Sequence, residues 1–205
     1  MFGIGKDKKD KKLGETLGAL SVKHATDEQA INFMKKNKIT AEKDRLLLSL
    51  SILNTSLATV AVNIAMNIDS KRKITILNHM IETLDNLLSN NSGQVRFRHL
   101  IPSKEERSYV RSVHGDDDFY TNIHTILDML YERRIDIYEK ELKSGFSNFE
   151  ERRGSSLGPF SNLIRAFGEH AHGSDTAEDI IYISTMSDML NSTLSNFVAI
   201  CKEYR

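Results

Sequence analysis

The sequence predicts an all-α protein: a single helical bundle of five to seven helices with a flexible basic N-terminal tail. Three observations predict it. Between Ala19 and Ser92 there is neither glycine nor proline, and the lack of both strong chain punctuators leaves room only for a few long helices. Apolar residues recur at alternating spacings of three and four in several stretches, the period of a helix that buries one seam. Hydroxyl-bearing or acidic residues precede those stretches, where they satisfy free backbone donors and complement the positive end of a helix dipole.

Residues 1–18 read as a segment apart from the bundle domain, 19–205. Met1 to Ile4 are mostly apolar, Lys6 to Lys12 set five lysines against two aspartates, and Gly14 and Gly18 follow. Such a composition predicts a solvated, flexible tail. A sharper expectation is that residues 1–12 touch a membrane surface, Phe2 and Ile4 dipping in while the lysines meet anionic headgroups. At about 1 kcal/mol per lysine, that attachment is weak and reversible.

A short helix is expected from Thr26 to Lys36. Thr40 caps the next, which runs through the uncharged stretch Leu46–Ile68 and spans roughly 40 Å at the helical rise per residue. Asp69 or Ser70 caps a third, Lys71–Ser89, whose expected buried seam is Ile74, Leu77, Ile81, Leu84 and Leu88.

The uncharged stretch is long enough to span a bilayer, but its polar residues are not scattered. Ser49, Ser56, Thr59, Asn63 and Asn67 fall within one quadrant of a helical wheel, with Asn54 off the stripe. Each asparagine in hydrocarbon needs a partner, and no second candidate span exists to supply one. The stretch is therefore expected to be a bundle helix. Its polar stripe is the candidate interaction seam, self-association included.

Beyond Gly93, Val95, Phe97 and His99 alternate with Arg96 and Arg98 over a length that would make a short strand. Pro102 with Ser103, Glu105 and Glu106 starts a helix in the manner of a capping box, ending near Gly115. Asp116, Asp117 and Asp118 open a long helix to Lys143, stopped by Gly145. They complement its dipole, because a calcium loop needs alternating oxygen ligands and a later glutamate. Phe119, Ile123, Ile126, Leu127, Leu130, Ile137 and Leu142 form its expected buried side. Glu132, Arg133, Arg134, Asp136, Glu139, Lys140 and Glu141 form a solvated outer face. After a loop, 146–158, Pro159 starts a compact helix. Asp175, Thr176, Glu178 and Asp179 open the last, with Ile183, Met186, Leu190, Leu194, Phe197 and Cys201 on its seam.

Function is less legible. Lysine plus arginine and aspartate plus glutamate both number 28, so net charge draws the chain toward neither nucleic acid nor anionic lipid, and a charged partner must be met by a local patch. Arg96, Arg98, Lys104, Arg107 and Arg111 are the densest positive stretch outside the tail, interrupted by Glu105 and Glu106. The single cysteine excludes an internal disulfide and suits a reducing cytoplasm. No signal peptide or myristoylation site is expected at the start. His79 with Glu82, His124 with Asp128 and Glu132, and His170 with His172 bear ligand-type side chains, but their spacing makes no metal set. No cofactor is expected.

The most pointed local motif is Leu-Ile-Arg-Ala-Phe-Gly-Glu-His-Ala-His-Gly at 163–173. Arg165 followed by His170 or His172 resembles the arginine and histidine signature of the HEPN helical domains, and the His-Gly ending before an acidic helix start adds to the likeness. The resemblance implies metal-independent RNA cleavage or RNA binding, with the histidine as acid or base and Arg165 stabilising phosphate charge. It is confined to this stretch and departs from the family at Ala166, where a polar residue usually stands. The first expectation is instead a non-enzymatic helical interaction module, an adaptor, regulator or assembly subunit that meets a protein partner, in the cytoplasm or peripheral to a membrane.

Overall fold

In a computed structural model of the chain, the described residues are 4–26, 32, 43–88, 104–115, 130, 133–145, 159–172 and 180–205. They form seven helices and no strand. The helices are α1 (Ile4–Ala25), α2 (Lys43–Ala65), α3 (Ser70–Leu88), α4 (Lys104–His114), α5 (133–145), α6 (Ser161–His172) and α7 (Ile180–Glu203). The all-α bundle expected from the sequence is the observed architecture. The predicted helix at 26–36, the strand-like 94–100, the acidic start 116–118 and the loop 146–158 lie outside the described residues, apart from Thr26 and the isolated Asn32.

The uncharged stretch makes the centre of the bundle. Every side chain from Leu48 to Val62 is buried, and α1, α3, α6 and α7 all pack on this helix. Leu46–Ala65 is long and apolar enough to cross a membrane, yet 83% of that window is buried against the rest of the chain. Four of its polar side chains are answered internally. Asn54 Nδ2 donates to the Ser21 carbonyl of α1 at 3.0 Å. Thr55, Ser56 and Thr59 donate to carbonyls one turn back at 2.8, 3.1 and 3.0 Å, the local route by which hydroxyls are accommodated inside a helix. Each fully buried leucine here contributes about 1.5–3 kcal/mol of transfer free energy. The helix has no basic residue in its own last turn. The guanidinium of Arg205, just past the end of α7, supplies one by donating to the Ala65 carbonyl, where a cation complements the dipole.

The expected flexible tail is corrected. From Ile4 onward, residues 4–18 belong to α1, with Leu13, Leu17 and Asp10 buried and Lys8, Lys9, Lys11 and Lys12 turned outward. Composition points to disorder here because it counts lysines, whereas burial follows their spacing, which leaves one face of the helix free of charge except for Asp10. Asp10 in turn is held by Arg72 of α3 through two hydrogen bonds, Nε to Oδ2 at 2.8 Å and Nη2 to Oδ1 at 2.7 Å. That bond, ahead of any other influence, holds the Arg72 guanidinium above its ordinary pKa. The two glycines allow the helices to touch. A Cβ on Gly14 would collide with the Ile76 carbonyl and stand 2.8 Å from His79 Cβ, and one on Gly18 would stand 2.9 Å from Thr83 Cβ. Asp10 meets Arg72, Gly14 meets Ile76 and Met80, and Gly18 meets Met80 and Thr83, so α1 and α3 run parallel with their contacts advancing in step.

This docking also corrects the seam predicted for α3. The buried positions are Ile76, Met80 and Leu84, the ridge against which the glycines of α1 close. Of the expected seam only Leu84 is fully buried; Leu77, Ile81 and Leu88 are half-buried and Ile74 is 56% exposed. Asp69 caps this helix as expected, accepting from the Arg72 backbone N–H at 2.9 Å. Gly115, at φ +77°, ends α4 in the left-handed region that suits glycine. The predicted seam of α7 is observed in full, with Ile183, Met186, Leu190, Leu194, Phe197 and Cys201 all buried.

Candidate functional sites: an outer helix face and a buried polar cluster

Two places among the described residues carry more chemistry than packing requires. The first is the outer face of α3. A helix whose apolar residues outnumber what one neighbour can cover shows two ridges, and α3 has both. One ridge, Ile76, Met80 and Leu84, lies inside. The other starts at Ile74 and continues through Ile81, seven residues on and therefore almost directly above it. Among the described elements α3 packs against α1 and α2, and the Asp10 and glycine contacts fix its α1 side well away from Ile74. Among the described residues three other large apolar side chains are exposed, Ile64, Leu87 and Val113. Each is the next-to-last residue of its helix, whereas Ile74 stands within α3. The rim of this face is charged: Lys71 is exposed at its start, and Glu82 is 67% exposed nearer its end, with His79 Nδ1 at 3.2 Å.

The second place is a cluster of ionisable groups sealed between α4, α5 and α6. Glu106 and Arg134 are each 1% exposed and form a two-point ion pair, Arg134 Nε to Glu106 Oε1 at 2.9 Å and Nη2 to Oε2 at 3.1 Å. His170 Nε2 lies 3.4 Å from Glu106 Oε1, and Tyr138 Oη lies 2.8 Å from His170 Nδ1. With the carboxylate able only to accept, the neutral imidazole that fits carries its proton on Nε2 and accepts from the tyrosine on Nδ1. Burial first, then the positive charge of Arg134, lower the His170 pKa from 6.5 to about 4. The Arg133 guanidinium lies 4.1 Å over the Tyr109 ring beside the cluster. Arg134 was expected on a solvated outer face. It is buried because Glu106, expected to help start its helix and to interrupt a basic stretch, meets it from another helix.

The residues singled out in the sequence are divided by the fold. Ser49, Ser56 and Thr59 are buried within the bundle, so that part of the polar stripe faces the chain's own helices, while Asn63 and Asn67 are exposed. Ser49 Oγ has no hydrogen-bond partner among the described residues. Thr59 reaches the Glu139 carboxyl of α5, whose pKa is pushed up by burial, with Lys143 and this hydroxyl opposing the rise. Arg165 is exposed, while His170 is turned inward to Tyr138 and Glu106, so α6 directs these two side chains apart. The His172 side chain lies outside the described residues. Cys201 is buried, which pushes its thiol up to about 11. Sequence reasoning missed Glu106, Arg134 and Tyr138 as a group, and the outward use of Ile74 and Ile81. The available signal for the latter was that α3 carries more apolar positions, 74, 76, 77, 80, 81, 84, 87 and 88, than one seam holds. No protein-family model, curated protein or solved structure matches this chain.

Proposed function

We propose that this chain is a non-enzymatic helical interaction module that docks a protein partner on the outer face of α3. The observation that carries the reading is the second apolar ridge, Ile74 and Ile81, on a helix whose other ridge is already spent on α1. An exposed isoleucine within a helix, in register with a second and rimmed by charge, fits the way amphipathic helices present a/d-type anchors to a partner. The Asp10–Arg72 pair and the glycine contacts serve this reading by fixing α3 on α1, which lowers the ordering cost of binding. The test compares the assembly state of the full chain in native cell extract with that of Ile74→Glu/Ile81→Glu. The substitutions place charge where a partner would seat apolar groups, and the complex should be lost while the helical circular dichroism and melting temperature of the purified variant stay near wild type. A variant that keeps its native assembly overturns the reading.

A further inference from the structure

We propose that the partner seated on this face is a second copy of the same chain, with the two α3 helices packed antiparallel about a two-fold axis that passes close to Asn78. The proposal rests on the reading of α3 as a docking helix and names its occupant.

The charge layout of α3 points to it. Lys71, Arg72 and Lys73 crowd the helix start, whose first turn carries no acid, and Glu82 and Asp85 lie toward its end, whose last turn carries no base. This is the reverse of what the helix dipole favours, since cations are stabilised at the carboxyl end and anions at the amino end. Within the chain, Asp10 answers Arg72 and Asp69 caps the backbone. Lys71 stays exposed at the helix start and Glu82 is 67% exposed.

An antiparallel copy corrects the layout from outside. On a helical wheel Lys71, Asn78, Glu82 and Asp85 lie along one edge of the ridge formed by Ile74 and Ile81. In an isologous contact residue i meets j and j meets i, so the register must be its own reverse. With the axis at Asn78 it is. Lys71 falls beside Glu82 of the second copy, Ile74 beside its Ile81, and Asn78 beside its Asn78. Opposite charges meet twice, the apolar groups meet twice, and the polar amide sits at the centre, where such a residue selects one register. A parallel pairing would instead place the charged edges of the two copies on opposite sides of the contact, so that Lys71 and Glu82 would not face one another. One helix face belongs to the small class of interfaces, so the dimer dissociates on dilution.

Sedimentation velocity on the purified full chain, over about a hundredfold range of concentration, should show the mass rising from one copy toward two. Ile81→Glu should hold it at one copy. Lys71→Glu and Glu82→Lys should each weaken the dimer about tenfold, and the two together should restore it to within about threefold, because the swap re-creates the pairing in reverse. A double swap weaker than both single changes overturns the proposal, as does a wild-type chain that stays at one copy throughout. Asn78→Cys treated with a short bis-maleimide should yield crosslinked dimer in preference to Ser195→Cys on α7, Cys201 being buried in both. The opposite preference also overturns it. If the purified chain is monomeric while its assembly in extract is still lost in Ile74→Glu/Ile81→Glu, the second copy is excluded and the docking face stands. If neither responds, both fail.

Discussion

The two sides of the bundle are held together by opposite means. Between α1 and α3 two glycines let backbones touch, apolar ridges close over them, and the single buried acid, Asp10, pairs with an arginine that keeps its other side in water. Between α4, α5 and α6 a complete ion pair, an imidazole and a phenol are taken out of water together. The first contact is shape-limited and gains from dispersion and transfer. The second is charge-limited: the groups repay their desolvation only to one another, so the contact specifies its partners more than it adds stability. A chain that combines both can hold three short helices in one arrangement although few of their residues are apolar.

The largest expected effect lies on the polar side. Glu106→Ala should cost about 3–5 kcal/mol, because Arg134 would be left buried and unpaired, while Glu106→Leu with Arg134→Met should recover most of that loss. Urea denaturation midpoints of the three proteins test it; equal losses in the single and double variants would mean the cluster is not desolvated as described. Acid comes next. His170 has a folded pKa of about 4 against 6.5 in the open chain, so between these values the unfolded state binds more protons. Its contribution is complete above about pH 6.5 and is lost as the pH falls toward about 4, by an amount near 3 kcal/mol. The measured quantity is the stability of wild type minus that of His170→Gln across this window, a difference in which the opposite contribution of Glu139 cancels. A flat difference would place the imidazole in water.

On the apolar side the expected effect is smaller and depends on contact alone. Gly14→Ala should destabilise by about 1–3 kcal/mol through overpacking against the Ile76 carbonyl, although alanine is the better helix former by about 1 kcal/mol. Thermal melts decide the sign. A gain instead of a loss would mean that α1 stands off from α3, and the contrast between the two sides would disappear.

Much of this architecture could be read directly. The last helix shows why: Ile183 through Cys201 recur at three and four on a helix with one apolar face, and the period alone identifies what is buried. Helix α3 shows the limit. Its apolar positions support two seams, and the choice between them lies with Gly14 and Gly18, far away in sequence and on a segment whose lysines suggest a tail. Arg134 and Glu106 show a second limit, since a charged residue on a mixed face looks solvated until its partner is known to come from another helix. The Arg165 and His170 motif shows a third, because spacing along the chain does not state which side of a helix each residue takes.

Local chemistry along the chain settles the class and most of the elements: helices with no strand among the described residues, a central apolar helix, and helix ends at Asp69 and Gly115. These are local, set by propensity, period and the chemistry of helix ends. Packing between distant segments settles which of two apolar ridges on α3 goes inside, that a lysine-rich beginning is a docked helix, and that four ionisable groups share one dry site. Such choices depend on pairs of residues far apart in the chain, whose energies arise only once close approach has excluded water from between them.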